Sequence, residues 1–186
     1  MKKRIIVAMG LMGALLVVVA GVAWAATVNC QVGVPCSGTD EPDTLIGTSE
    51  TDDMFGYQED DRLLGRGGSD NMNGDRDGLG VDTTTDGDDE LYGSEGADNL
   101  TGYGGSDLLR GGGMADDINA QEDNRPTENP GEDTVIAHSG RDEIEALDGF
   151  KDTINCGDGV DTVFFDDGPV VFDVVADNCE NRNPLP

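Results

Sequence analysis

Aspartate recurs in this chain with a constant companion, an apolar residue two places on. The pairs are Asp43/Leu45, Asp52/Met54, Asp61/Leu63, Asp70/Met72, Asp89/Leu91, Asp98/Leu100, Asp107/Leu109, Asp116/Ile118, Asp133/Val135, Asp142/Ile144, Asp152/Ile154 and Asp161/Val163. Where nothing interrupts the rhythm, successive aspartates stand nine residues apart, and glycine opens most intervals. Carboxylates repeated in this way, with glycine-rich turns between them, offer an all-oxygen ligand set. That set suits a hard cation taking roughly six to eight oxygens at about 2.3–2.6 Å, as calcium does. Magnesium demands tighter octahedral geometry and keeps its water, and zinc or copper would want nitrogen or sulfur. Calcium is therefore the ion these twelve aspartates imply.

Other chemistry has little to work with. The lone histidine, His138, stands next to Ser139, but neighbouring side chains in a turn rarely face each other, and no third group is placed to orient the base. Paired carboxylates, which glycosidases require, arise by accident in any acidic ladder. H-E-x-x-H, G-x-S-x-G and the phosphate-binding loop are all absent. The sequence points to a protein that is not an enzyme.

The elements that position the aspartates follow from the period. Cut every nine residues from Gly38, the chain reads GTDEPDTLI, GTSETDDMF, GYQEDDRLL and GRGGSDNMN, then GSEGADNLT, GYGGSDLLR and GGGMADDIN from Gly93. Two insertions, Asp75 to Asp88 and Gln121 to Asn129, interrupt the series, and the register resumes after each, as it does when loops project from a solenoid. In each unit the last three residues suit a short strand with the eighth facing inward, and the first six suit a turn. Glycine at positions one and four permits positive φ and close backbone approach. Two units then make one coil of 18 residues, and stacking at roughly the 4.8 Å strand spacing sets each aspartate near turn carbonyls and near the aspartate two units along.

These units resemble the RTX, or haemolysin-type, calcium-binding repeat, G-G-x-G-x-D-x-U-x with U apolar, over about Gly38 to Phe164. The resemblance implies an all-β fold, a parallel β-roll or β-helix solenoid of nonapeptide repeats with calcium in its turns. Position four holds glycine at Gly68, Gly87, Gly96, Gly105, Gly131, Gly140 and Gly159, but Glu41, Glu50, Glu59 and Met114 in four other units. The best-formed sites are thus expected between Gly65 and Asp116 and from Asp133 to Asp161. Toxin and protease members carry a catalytic or pore-forming domain beside the repeats; none is expected in these 186 residues.

Of 186 residues, 39 are acidic and 11 basic, a net charge of −28. Such a balance repels nucleic acid and anionic membrane surfaces and suggests a fold that needs cations to cancel its self-repulsion. One apolar side chain per nine residues is too little to order the chain unaided, so folding and calcium binding are expected to be one event.

The ends complete the reading. Lys2, Lys3 and Arg4 precede an uncharged apolar run from Ile5 to Ala23, and Ala23-Trp24-Ala25 offers a signal-peptidase site, so residues 1–25 are expected to be a signal peptide for export from a bacterial cell. Residues 26–37 form a terminal segment, 38–164 the roll, and 165–186 a cap built on Val170, Val171, Phe172, Val174 and Val175. An even number of cysteines in an exported chain suggests two disulfides. Four cysteines allow three connectivities, and their placement as local pairs favours Cys30–Cys36 and Cys156–Cys179. The expected role is that of a secreted or surface calcium-binding protein with an unidentified surface or matrix partner. A calcium-dependent adhesion module using the inserted loops is the first alternative, and a polysaccharide-acting enzyme on a β-helical frame the second.

Overall fold

The computed structural model describes residues 25–75, 86–121, 131–169 and 171–185. The expected signal peptide up to residue 24, most of both insertions (76–85 and 122–130) and Val170 lie outside the described residues. Everything described is strand or turn.

Strands, numbered in chain order, alternate between two parallel sheets. The first sheet runs β1 (Thr27–Asn29), β3 (Thr44–Ile46), β5 (Arg62–Gly67), β7 (Glu90–Glu95), β9 (Leu108–Gly113), β11 (Thr134–Gly140), β13 (Thr153–Asn155) and β16 (Val174–Val175), with β14 (Asp158–Gly159) beside the end of β11. The second runs β2 (Cys36–Ser37), β4 (Asp53–Phe55), β6 (Asn71–Asn73), β8 (Asn99–Thr101), β10 (Asp117–Asn119), β12 (Glu143–Ala146), β15 (Thr162–Asp166) and β17 (Asn181–Leu185). One nonapeptide supplies one strand, and the next supplies a strand of the opposite sheet. This is the β-roll that the period implies.

Registers are set by the eighth residue of each unit. Leu45 pairs with Val28 and Leu63, Leu63 with Leu91, and Leu91 with Leu109; on the other sheet Met54 pairs with Met72 and Met72 with Leu100. All twelve eighth-position side chains are buried. A one-residue slip would turn an entire column outward, so a single apolar residue per unit suffices to fix the stacking.

Position one also faces inward, and its identity changes along the roll. Glycine holds it as far as Gly111; Ala120, Ala137, Ala146, Cys156 and Phe165 then follow, all buried. In the amino-terminal half only glycine fits. A side-chain carbon on Gly38 would lie 2.5 Å from the carbonyl oxygen of Gly56 and 2.9 Å from Asp43 Oδ2.

The turns lie on two flanks that are not alike. Turns entering β4 to β15 of the second sheet span 47–52, 65–70, 93–98, 111–116, 137–142 and 156–161, all six residues long, and the last, 176–180 before β17, has five. Those entering the first sheet span 38–43, 56–61, 74–89, 102–107, 120–133, 146–152 and 165–173, and four of these are longer. The described ends of both insertions, and the one-residue delay before Asp152, therefore lie on the same flank. The nonapeptide reading confined strands to positions seven to nine. Four strands of the first sheet run further, through the opening residues of the second-flank turns, where Arg66, Ser94, Gly112 and His138 stand in register.

The disulfides at the two ends pair as expected. Disulfides join Cys30 to Cys36 and Cys156 to Cys179. The carboxy-terminal segment extends both sheets. Val174–Val175 adds to the first and Asn181–Leu185 to the second. Among the described residues of the apolar stretch only Val175 packs against the core; Phe172 and Val174 remain exposed. The polar strand β17 was not legible from hydropathy, because its order comes from backbone pairing with β15 and all five of its residues are exposed. Pro184 on this edge strand lacks an N–H to offer a further strand.

Candidate metal centre

All twelve sequence-assigned aspartates are buried, with at most 3 % of any one exposed, and they line up in two columns, one per flank. On the first flank the Asp43 N–H donates to Asp61 Oδ1 at 2.7 Å, Asp61 to Asp89 at 2.7 Å, Asp89 to Asp107 at 2.9 Å, Asp107 to Asp133 at 2.8 Å and Asp133 to Asp152 at 2.8 Å. On the second flank Asp52, Asp70, Asp98, Asp116 and Asp142 each donate in the same way to the next aspartate, ending on Asp161, at 2.9 Å throughout. Insertions do not disturb this ladder, because it needs only the sixth residue of each turn to return to its place.

The other carboxylate oxygen has no such role. In ten of the twelve, from Asp61 to Asp161, Oδ2 is buried without a protein hydrogen-bond partner. Buried polar atoms are nearly always satisfied, so a repeated exception at one atom of one position marks a place for something that is not protein. Asp43 and Asp52 differ. Their Oδ2 atoms accept from the Thr39 and Thr48 N–H groups at 2.6 Å and from the same threonine hydroxyls at 2.8 and 3.0 Å. Threonine at position two thus satisfies Oδ2 from within the turn, while Asp52 Oδ1 is buried without a partner. Beyond these two units, position two takes positive φ where Tyr57, Arg66, Ser94, Tyr103, Gly112, His138 and Gly157 occupy it. A branched side chain resists that conformation, which is why the two threonine turns close differently.

Backbone oxygens complete the surroundings. A side-chain carbon on Gly96, Gly140 or Gly159 would collide with the position-four carbonyl oxygen of the preceding coil, that of Gly68, Met114 or Gly140. One on Gly112 or Gly157 would meet the position-two carbonyl of Ser94 or His138. These carbonyls therefore point along the stack into the space between coils. Among the described residues no three acidic, histidine or cysteine side chains converge, so a bound cation would draw much of its shell from backbone carbonyls.

Burial weighs on the carboxylates. It pushes Asp61 up to about 7, Asp152 up to about 9, Asp116 up to about 7, and Asp70 and Asp142 up to about 6; the accepted backbone N–H opposes the rise, and neighbouring aspartates add to it. Asp89 and Asp107 are raised well above the carboxylate range, by burial first and neighbouring aspartates in addition. A column of desolvated like charges needs either protons or a cation. The donor set is oxygen alone: all four cysteines are in disulfides and His138 is exposed in its turn. Orphaned carboxylate oxygens, inward carbonyls and cradles that admit only glycine all fit calcium.

The sequence reading missed two members of the columns. Asp173 Oδ1 accepts the Asp152 N–H at 2.8 Å, and Glu180 Oε2 accepts the Asp161 N–H at 3.1 Å. Asp173 carries the same signal, an apolar Val175 two places on, but twelve residues after Asp161 rather than nine. Asp75, at position two of the first interrupted turn, is also buried; both its oxygens accept the Gly87 N–H, at 3.0 and 3.1 Å, drawing the two sides of that insertion together.

Comparison with known proteins agrees with this geometry. The model of the RTX calcium-binding nonapeptide repeat, four copies in length, matches residues 46–77, 83–118 and 129–163, more than half of the chain. No match is found among curated proteins or solved structures. With its paired-unit coils, aspartate columns and glycine cradles, the chain belongs to the RTX calcium-binding nonapeptide repeat family.

Proposed function

We propose that this calcium-binding repeat protein is exported, that its roll forms as calcium enters the flank turns, and that it serves a structural or surface role. The observation that carries the reading is the run of buried Oδ2 atoms without a protein partner. An ionised carboxylate kept from water and left unpaired costs several kcal/mol, and here the cost recurs in coil after coil. Bound calcium supplies the missing positive charge. The atoms available to hold it are aspartate Oδ2 and the turn carbonyls at positions two and four. Each coil would then be tied to the next through the ion as well as through the sheets.

Export is supported by the basic start and apolar run before Ala25 and by the two disulfides, which persist in oxidising compartments. We assign the chain no catalytic role, since the aspartates engage backbone N–H groups and one another's columns. A second reading, recognition of a surface or matrix partner, is favoured by both insertions starting and ending on one flank of the roll. Loops displayed together from a rigid frame are the usual setting of binding function.

The test is a calorimetric titration of the disulfide-bonded chain with calcium chloride. Several ions should bind per chain, with magnesium at least about tenfold weaker because it resists dehydration and carbonyl-rich geometry. Absence of calcium binding would refute the reading.

A further inference from the structure

The first-flank column begins on Ala26. Thr27, Val28 and Asn29 pair with Thr44, Leu45 and Ile46, so Ala26 stands one coil below Asp43, at the position that aspartate holds in the later units. It has no carboxylate to offer, yet its backbone keeps the ladder. The Ala26 N–H donates to Asp43 Oδ1 at 2.6 Å, and the Ala26 carbonyl accepts the Thr44 N–H at 2.8 Å. Ala25, one residue earlier, is exposed.

The second column begins without such a donor. Cys36 and Ser37 pair with Met54 and Phe55, which puts Val34 at the matching place below Asp52. The Val34 N–H goes instead to the Gln31 carbonyl at 3.1 Å, and Asp52 Oδ1 stays buried without a partner. Asp43, by contrast, has both oxygens satisfied, Oδ2 by Thr39 and Oδ1 by Ala26. Among the described residues no lysine, arginine or histidine forms an ion pair with it. A carboxylate only 3 % exposed is costly to keep ionised without a counter-charge.

Two independent registers meet at one peptide bond. The basic start, the apolar run and Ala23-Trp24-Ala25 suit a signal-peptidase cut after Ala25. The strand pairing puts the end of the first column at the nitrogen of that same bond. Hydrolysis of the Ala25–Ala26 amide by one water leaves a carboxylic acid on Ala25, whose proton passes through solvent to the Ala26 amine, giving carboxylate and ammonium.

Resting on the export reading, we propose that removal of the leader supplies the first column with a counter-ion from the chain itself: the new Ala26 α-ammonium pairs with Asp43 and closes the amino-terminal end of the column. A charge-assisted hydrogen bond of this kind is roughly twice as strong as the neutral one that the precursor amide makes. The first coil is therefore held less firmly until the leader is gone.

The test uses the full 186-residue chain, exported by a bacterial host and carrying Lys151→Arg, which keeps a positive charge facing Glu132. Lys2 and Lys3 leave with the leader, so the α-amino group is then the single amine able to react. Mass spectrometry should find Ala26 as the first residue. The exported chain is acetylated or reductively dimethylated in chelator and returned to calcium. Acetylation keeps an N–H but removes the charge, whereas dimethylation keeps both. Chemical denaturation in saturating calcium should give the acetylated chain an unfolding constant about tenfold larger than that of the unmodified chain, and the dimethylated chain one within about twofold of it. In Asp43→Asn the two modified chains should be equally stable; the comparison with Asp43 in place decides whether or not that variant refolds. Equal stability of the two modified chains with Asp43 present, or a first residue other than Ala26, would overturn the proposal and leave export intact. A leader still attached would overturn the export reading and the proposal with it.

Discussion

Acid is expected to do part of calcium's work: the calcium-free chain, largely unordered near pH 8, should acquire sheet structure as the pH falls toward about 5. The buried aspartates have their folded-state values raised, to about 6 at Asp70 and Asp142, about 7 at Asp61 and Asp116 and about 9 at Asp152, from an ordinary value near 3.8. A raised value means that the folded chain binds protons more tightly than the unfolded one. Protonation therefore favours the fold fully below the ordinary carboxylate value, and that contribution is lost as the pH rises through the folded values. The transition should centre between about 6 and about 7, where most of these groups change state. It should be steep, because neighbouring carboxylates in a column titrate together. Far-ultraviolet circular dichroism across a pH series in chelator measures it. With calcium present the same acidification should release the ion and yet leave the sheets in place. A calcium-free chain that instead lost sheet structure on acidification would show that the columns are ionised in the folded state.

Gly96→Ala should be among the most damaging single changes in the roll, costing more than about 4 kcal/mol in calcium, a size reserved for a few mechanisms. Two of those mechanisms coincide here. Gly96 has φ 148°, where a side chain is strained, and its added carbon would fall on the Gly68 carbonyl oxygen of the coil below. That oxygen belongs to backbone, so relief would require the coils to part in the middle of the array. Gly113→Ala is the matched control. Its φ is not in the left-handed region, and the nearest atom to the added carbon is the Ser94 carbonyl oxygen at 3.8 Å. Its effect should stay within about 0.5 kcal/mol. Chemical denaturation of both variants in saturating calcium gives the comparison, and equal stabilities would mean that inter-coil carbonyl packing does not constrain the turn.

Much of this architecture was legible because it depends on spacing. Leu45, Leu63 and Leu91 had to share one column once Asp43, Asp61 and Asp89 did, and an insertion between two turn residues cannot alter which strand follows. The disulfides were legible for a similar reason, each pair lying at one end of the repeats. Departures arose where spacing stops being informative. Asp173 continues the first column from a turn three residues longer than standard, and Glu180 does so with a longer side chain and no apolar partner in the pattern. The polar strand Asn181–Leu185 is ordered by its neighbour β15 alone. The difference between Thr39 or Thr48 and the residues that replace them at position two was also hidden, since it resides in the sign of φ and in which donor reaches Oδ2. The inequality of the flanks needed the pairing of the strands, because units alternate sides and the sequence does not say which sides the insertions share.

At the centre stands a physical dependence: stacked, desolvated carboxylates, once ionised, hold their coil only when a cation lies among them. Circular dichroism of the disulfide-bonded chain near neutral pH, first in chelator and then through a calcium titration, addresses it most directly. The expected result is a mainly unordered spectrum that converts cooperatively to sheet over a narrow calcium range, with hydrodynamic contraction in step. A full sheet spectrum in chelator, unchanged by calcium, would contradict it.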